Sequence, residues 1–221
     1  MNEPCSLPAG DLICVVDDDA DVRESLDTLL RSNGHRVRTF GGPDEFLECD
    51  EADSAACLIL DVRLRGFNGL DFQQELAGSE AVLPVILMSG HGDVPMTVRG
   101  MRAGAITFLS KPFAEEAMLA AIDEAIARGR EQRLVSREKA LLRARFDSLT
   151  PREREVLGLV SAGLMNKQIA GRLELSEITV KIHRGNLMKK MEADSLADLV
   201  LMAQALGVRE RVSRYGQNSG R

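Results

Sequence analysis

The stretch Leu12-Ile13-Cys14-Val15-Val16-Asp17-Asp18-Asp19 is an apolar run closed by three carboxylates. The pattern returns downstream: Cys57 to Leu60 ends on Asp61, Val85 to Met88 ends on Ser89, and Ile106 to Leu109 stops just before Lys111-Pro112. A short unbroken apolar run bounded by polar residues is the mark of a strand buried on both faces of a parallel sheet. Strand candidates are 11–16, 35–40, 57–60, 84–88 and 106–109. Helical patterns fill 20–33, 43–49, 69–78, 93–103 and the stretch from 113 onward, with Asn33-Gly34 stopping the first. Five such β-α units predict an α/β domain, a doubly wound five-stranded parallel sheet. In an open sheet the carboxyl ends of the strands lie together and ligands bind beside them. Asp17, Asp18, Asp61, Ser89 and Lys111, far apart in sequence, are therefore expected in one pocket. Clustered carboxylates repel, and a hard divalent cation such as Mg²⁺ relieves that with oxygen ligands.

At these positions residues 11 to 125 resemble the receiver domain of two-component response regulators. The resemblance implies the flavodoxin-like strand order 2-1-3-4-5. It implies that Asp61 accepts a phosphoryl group from a sensor histidine kinase. It implies Mg²⁺ held by Asp18, Asp61 and the carbonyl of Arg63, with Asp17 acting through water. Ser89 would bond a phosphoryl oxygen, Lys111 would pair with the phosphoryl group, and Phe108 matches an aromatic switch position. One departure stands out in the receiver: Arg65 occupies a position where the family usually has proline; Arg63 and His91 flank the pocket.

The bulk numbers fit a globular protein: 221 residues, 44% hydrophobic and 28% charged. No apolar run approaches the roughly 20 residues of a membrane span. Met1 to Gly10 has neither a basic start nor an apolar stretch, so a cytoplasmic location is expected. The cysteines form no CxxC pair and the three histidines are scattered, which speaks against a zinc site. The net charge of −6 hides a split. Residues 1–130 carry 23 acidic and 11 basic side chains, a net of −12; residues 131–221 carry 11 and 17, a net of +6. A basic C-terminal part suggests a polyanionic partner.

Ala114 to Arg145 is rich in Ala, Leu, Glu and Arg and lacks proline, and 113–147 reads as one long helix or two joined ones, with Gly129 as the weak point. Thr150-Pro151 with Glu153 is a capping box that opens a second domain. Helices read as 151–162, 166–173, 177–191 and 195–205. On the third, Val180, His183, Leu187 and Met191 share the buried stripe, while Ile178, Ile182, Gly185 and Lys189 lie opposite, flanked by Lys181. An exposed isoleucine between lysines suits a major groove, where thymine methyls and guanine edges are available.

This all-α part resembles the LuxR/NarL-type helix-turn-helix, and the whole chain resembles FixJ-like response regulators. By resemblance Lys181 and Ile182 would face bases, and Lys167, Arg184 and Lys189 phosphates, with Thr179 completing the set. Lys190 points away and is discounted. The expected organisation is a receiver at 1–125, a linker helix at 126–147, the helix-turn-helix domain at 148–208 and a disordered tail at 209–221. The expected function is phosphorylation-activated regulation of transcription: double-stranded promoter DNA as ligand, a homodimer on phosphorylation, RNA polymerase as a further partner, and no membrane. Two rivals remain. One is a constitutive DNA-binding regulator with a non-switching receiver. The other is an aspartate-phosphate phosphatase, which would need an acid/base carboxylate where this chain has Arg63.

Overall fold

The computed structural model describes residues 10–78, 83–90 and 94–208. Cys5, His91 and the tail from residue 209 lie outside these. The chain divides between Leu134 and Val135 into two compact units.

The first unit holds strands β1 (Leu12–Val16), β2 (Arg36–Phe40), β3 (Cys57–Asp61), β6 (Val85–Ser89) and β7 (Thr107–Ser110). They form one parallel sheet in the order β2-β1-β3-β6-β7, the flavodoxin-like order with its reversal between β1 and β3. Alternate residues along each strand enter different cores. Ile13, Val15, Ile59 and Met88 join Leu26 and Leu30 of α1 (Ala20–Ser32) and Met118 and Ile122 of α5 (Glu115–Asp147). Cys14, Val16, Leu58 and Leu87 pack instead with Phe46 of α2 (Pro43–Leu47) and Leu70 and Phe72 of α3 (Gly69–Ala77). Double burial explains why these strands read as unbroken apolar runs. The thiols of Cys14 and Cys57 sit fully buried in strands; burial pushes Cys14 up to about 12 and also raises Cys57. Neither supplies a thiolate nucleophile or metal ligand near neutral pH.

One element escaped the sequence: a two-residue ladder of β4 (Arg63–Leu64) against β5 (Phe67–Asn68), with Gly66 at φ +80° in its turn. Strands this short carry no readable periodicity. Behind them, α3 begins at Gly69 because nothing larger fits: a Cβ there would stand 2.2 Å from Asp61 O and 2.9 Å from Val62 Cα. Helix α4 (Val94–Arg102) approaches β6 as closely, since a Cβ on Gly100 would meet Leu87 Cδ1 at 2.3 Å.

Gly129 is not a weak point. Helix α5 runs unbroken through it, and a Cβ there would meet Pro84 Cγ at 2.6 Å. Glycine at this position permits a close approach to the loop before β6. Arg130 is paired with Asp11 at 2.9 Å, and Arg133 donates to Ala55 O at 3.4 Å. The receiver's packing on α5 thus continues past residue 125.

The second unit packs α6 (Pro151–Ser161), α7 (Asn166–Leu173), α8 (Glu177–Met191) and α9 (Leu196–Ala205) around Val156, Leu157, Ile169, Val180, Leu187 and Leu199. Phe146, from the end of α5, is part of this core, and the guanidinium carbons of Arg143 and Arg154 lie 5.5 and 4.9 Å from its ring centre. The capping box at Thr150 is present as expected. Glu174, at φ 55°, ends α7, and Ser176 caps α8 by accepting from Thr179 N at 3.1 Å.

Candidate functional site

The sheet order brings the ends of β1 and β3 side by side, and Asp17 and Asp61 with them. Asp17 is 0% exposed and Asp61 6%, so both carboxylates sit in low dielectric. Lys111 answers them. Its Nζ donates to Asp17 Oδ2 at 2.6 Å and to Asp61 Oδ2 at 2.5 Å, closing 94 and 50 residues of sequence. It follows the end of β7 and is tied to the end of β6, since Lys111 N donates to Ser89 O at 2.8 Å, and the Lys111–Pro112 peptide is cis. Burial raises the pKa of Asp17, and Lys111 only partly offsets that. Burial also works against the Lys111 ammonium, but the hydrogen bonds and charges of Asp17 and Asp61 outweigh it and raise its pKa.

The remaining pocket residues fall into place around this bridge. Ser89 is buried at the end of β6, next to Met88, which is the register partner of Asp61. Arg63 N donates to Asp61 Oδ1 at 2.8 Å, which orients the carboxylate and keeps the Arg63 backbone beside it. Asp18 is partly exposed, and its Oδ2 is paired with Arg65 Nε at 2.9 Å. Phe108 is half-buried and packs on the core shared with α2 and α3. The sequence missed Arg23 of α1, whose Nη1 donates to Asp17 O at 2.6 Å and pins the acidic loop. Its signal was a basic residue one turn into α1, on the side facing that loop. Among the described residues, no three His, Cys, Asp or Glu side chains converge closely enough to hold a metal alone. A metal here would need the backbone carbonyl and water beside its carboxylates, and these are hard oxygen donors of the kind Mg²⁺ takes.

In the second unit, Ile178 is 73% and Ile182 58% exposed on α8, although Val180, Leu187 and Met191 of the same helix are buried. Lys167, Lys181 and Lys189 are exposed, and Thr179 Oγ1 lies 2.8 Å from Ser176 Oγ at the helix start. Arg184 is already engaged: its Nη1 donates to Asn166 Oδ1 at 2.5 Å, bridging α8 to the first turn of α7. Lys190 is an internal partner, 2.7 Å from Glu153 Oε2. Glu153 is buried, and burial pushes its carboxyl up; hydrogen bonds from Lys190 and Thr150 outweigh that and hold it below the usual carboxylate range.

Known families match both units. The response regulator receiver domain matches residues 13–123, and the luxR family of bacterial regulatory proteins matches residues 147–203. Nodulation protein W of Bradyrhizobium diazoefficiens is 50% identical over 197 residues, spanning 89% of this chain and 87% of its own. The transcriptional regulatory protein FixJ of the same organism is 39% identical over 199 residues, spanning 89% of this chain and 96% of its own. The solved structure of the response regulator StyR is 46% identical with a TM-score of 0.77, covering 89% of this chain and 99% of that one. This chain therefore belongs to the two-component response regulators that join a receiver domain to a LuxR-type helix-turn-helix, and it is a DNA-binding transcriptional regulator, not an enzyme.

Proposed function

We propose that Asp61 takes a phosphoryl group from a sensor histidine kinase and that this raises the affinity of the second domain for promoter DNA. The observation that carries this reading is the Lys111 ammonium, within hydrogen-bond reach of both Asp17 and Asp61 at the end of the sheet. In the transfer, an Asp61 oxygen forms a new bond to phosphorus as the donor's bond breaks, and the leaving group departs with the electron pair. A carboxylate does this only when the phosphoryl oxygens are neutralised. Lys111 is already placed to pair with them, and Ser89 is one residue along the neighbouring strand. The oxygen donors of Asp18, Asp61 and the Arg63 carbonyl suit Mg²⁺, with buried Asp17 acting through water. When bound, Mg²⁺ supplies further positive charge to the phosphoryl oxygens. Drawing Ser89 and Lys111 toward the new group shifts the surface between residues 93 and 113, with Phe108 as the aromatic that follows. That surface then favours a homodimer, and two helix-turn-helix units engage half-sites about one helical turn apart.

On DNA, Lys181 and Ile182 meet base edges, while Lys167, Thr179 and Lys189 meet phosphates. Arg184 keeps its bond to Asn166 and offers its remaining donors. RNA polymerase is the further partner at the promoter. The setting is the cytoplasm; no helix among the described residues is long and apolar enough to cross a membrane.

The test is light scattering with Mg²⁺ and beryllofluoride, with Asp61→Asn alongside, followed by DNA affinity. A rise in mass and affinity in the wild type alone is the expected outcome. Equal DNA affinity with and without the activator, in both proteins, would establish the constitutive reading instead.

A further inference from the structure

The pocket carboxylates are each matched to a cation from within the chain. Lys111 serves Asp17 and Asp61 together, and Arg65 serves Asp18. The two cations differ in kind. Lys111 is 20% exposed and follows β7, whereas the Arg65 side chain is 89% exposed at the tip of the β4–β5 hairpin, beside Gly66 at φ +80°. Arg65 Nε stands 2.9 Å from Asp18 Oδ2. Asp18 is the one pocket carboxylate with appreciable exposure, 22% for its side chain. It is also the carboxylate that, with Asp61, faces the proposed metal.

Mg²⁺ binds carboxylate oxygen at about 2.1 Å. A metal on Asp18 Oδ2 with the guanidinium unmoved would place two cations within about 5 Å of each other, sharing one carboxylate. We propose that Arg65 is an internal counter-ion of the Mg²⁺ site, which leaves Asp18 when the metal arrives and so lowers the receiver's affinity for Mg²⁺. The inference rests on reading the acidic pocket as a Mg²⁺ site. Geometry decides that Arg65 competes and does not lock the pocket. An exposed side chain on a two-residue turn leaves at small cost, and exposed ion pairs change an equilibrium only about two- to fivefold. Proline or any uncharged residue here would leave Asp18 without this partner. The position next to the glycine turn therefore sets the Mg²⁺ concentration at which the receiver is half-loaded.

The experiment is a MgCl₂ titration of the full chain followed by backbone amide NMR shifts, without any phosphoryl donor. Wild type, Arg65→Ala, Arg65→Lys and Arg130→Ala are compared at low and high NaCl. Arg130 pairs with Asp11, ahead of β1 and so at the far end of the sheet, and controls for lost charge. Arg65→Ala is expected to bind Mg²⁺ about two- to fivefold more tightly than wild type, with the gap shrinking in high NaCl. Arg65→Lys keeps a cation and falls between the two, and Arg130→Ala matches wild type. Equal or weaker Mg²⁺ binding by Arg65→Ala, or an equal gain in Arg130→Ala, overturns the inference while leaving the pocket a Mg²⁺ site. No Mg²⁺ binding by any of the four proteins overturns both.

Discussion

Replacing Lys190 with methionine keeps the stem of the side chain and removes its ammonium. The structure states what is lost. Lys190 Nζ donates to Glu153 Oε2 at 2.7 Å and lies 3.5 Å from Ser148 O, joining the end of α8 to the start of α6. Glu153 is 3% exposed and would be left with Thr150 N at 2.8 Å. Removing one partner of a buried ion pair costs about 3–5 kcal/mol. The Lys190 side chain is 37% exposed, so solvent screens the pair, and about 1–2 kcal/mol is the better expectation. For a domain of this size that is roughly 5–15 °C at the midpoint of its transition. The pH dependence carries a definite sign. The Glu153 carboxyl is held below its ordinary value in the folded chain, so the contribution is present above the unfolded carboxylate pKa, about 4.3, and is lost as pH falls through the folded value. Urea unfolding of wild type, Lys190→Met, Glu153→Gln and the double variant, at pH 7 and below about pH 4, closes a double-mutant cycle. A gap under about 0.5 kcal/mol at pH 7, or one that persists undiminished in acid, would refute the reasoning.

Gly69→Ala should disturb the pocket itself. Its Cβ meets backbone atoms of Asp61 and Val62, which cannot swing aside as a side chain can; we expect about 1–3 kcal/mol of destabilisation by urea unfolding and a weaker response to beryllofluoride. Phe146→Ala removes a side chain buried in the second core and should lower that unit's stability by about 3–5 kcal/mol, read as an earlier second transition in calorimetry. Lys189→Ala should flatten the salt dependence of DNA affinity by about one unit of slope, whereas Lys190→Met at equal folded fraction should leave the slope unchanged.

The centre of the main sheet was legible because its inner strands β1, β3 and β6 are buried on both faces. Ile13, Cys14 and Val15 have no solvent side on which to place a polar residue, so the apolar run shows in the bare sequence. The helices of the second unit were legible from their punctuation, with Thr150 and Ser176 as caps. Where a residue's task depends on what lies across from it, the sequence misled or fell silent. Gly129 looked weak by helix propensity, yet its neighbour Pro84 requires the absence of a side chain. Phe146 looked like part of a linker, and only the helices folded over it make it core. Arg184 reads as a free phosphate contact until Asn166 is seen holding it.

The pocket follows the same division. Its acids were legible because each ends a strand, and strand ends can be counted. Its cations follow no such rule. Lys111 reaches Asp17 only through the crossovers that set the strand order, Arg23 reaches a backbone carbonyl that has no side-chain signature, and Arg65 depends on a hairpin whose strands are two residues long. Yet the cations decide how the pocket behaves. Two buried carboxylates on one ammonium hold a surplus of negative charge, which an arriving cation or a phosphoryl group with its metal can rebalance. On the proposed function, the same site would attract Mg²⁺ and hold Lys111 ready for the phosphoryl oxygens. The residue that differs from the usual family pattern, Arg65, pairs with the most exposed of the pocket acids. If that proposal holds, how readily this receiver loads should accordingly be tuned through the counter-ions around the acids.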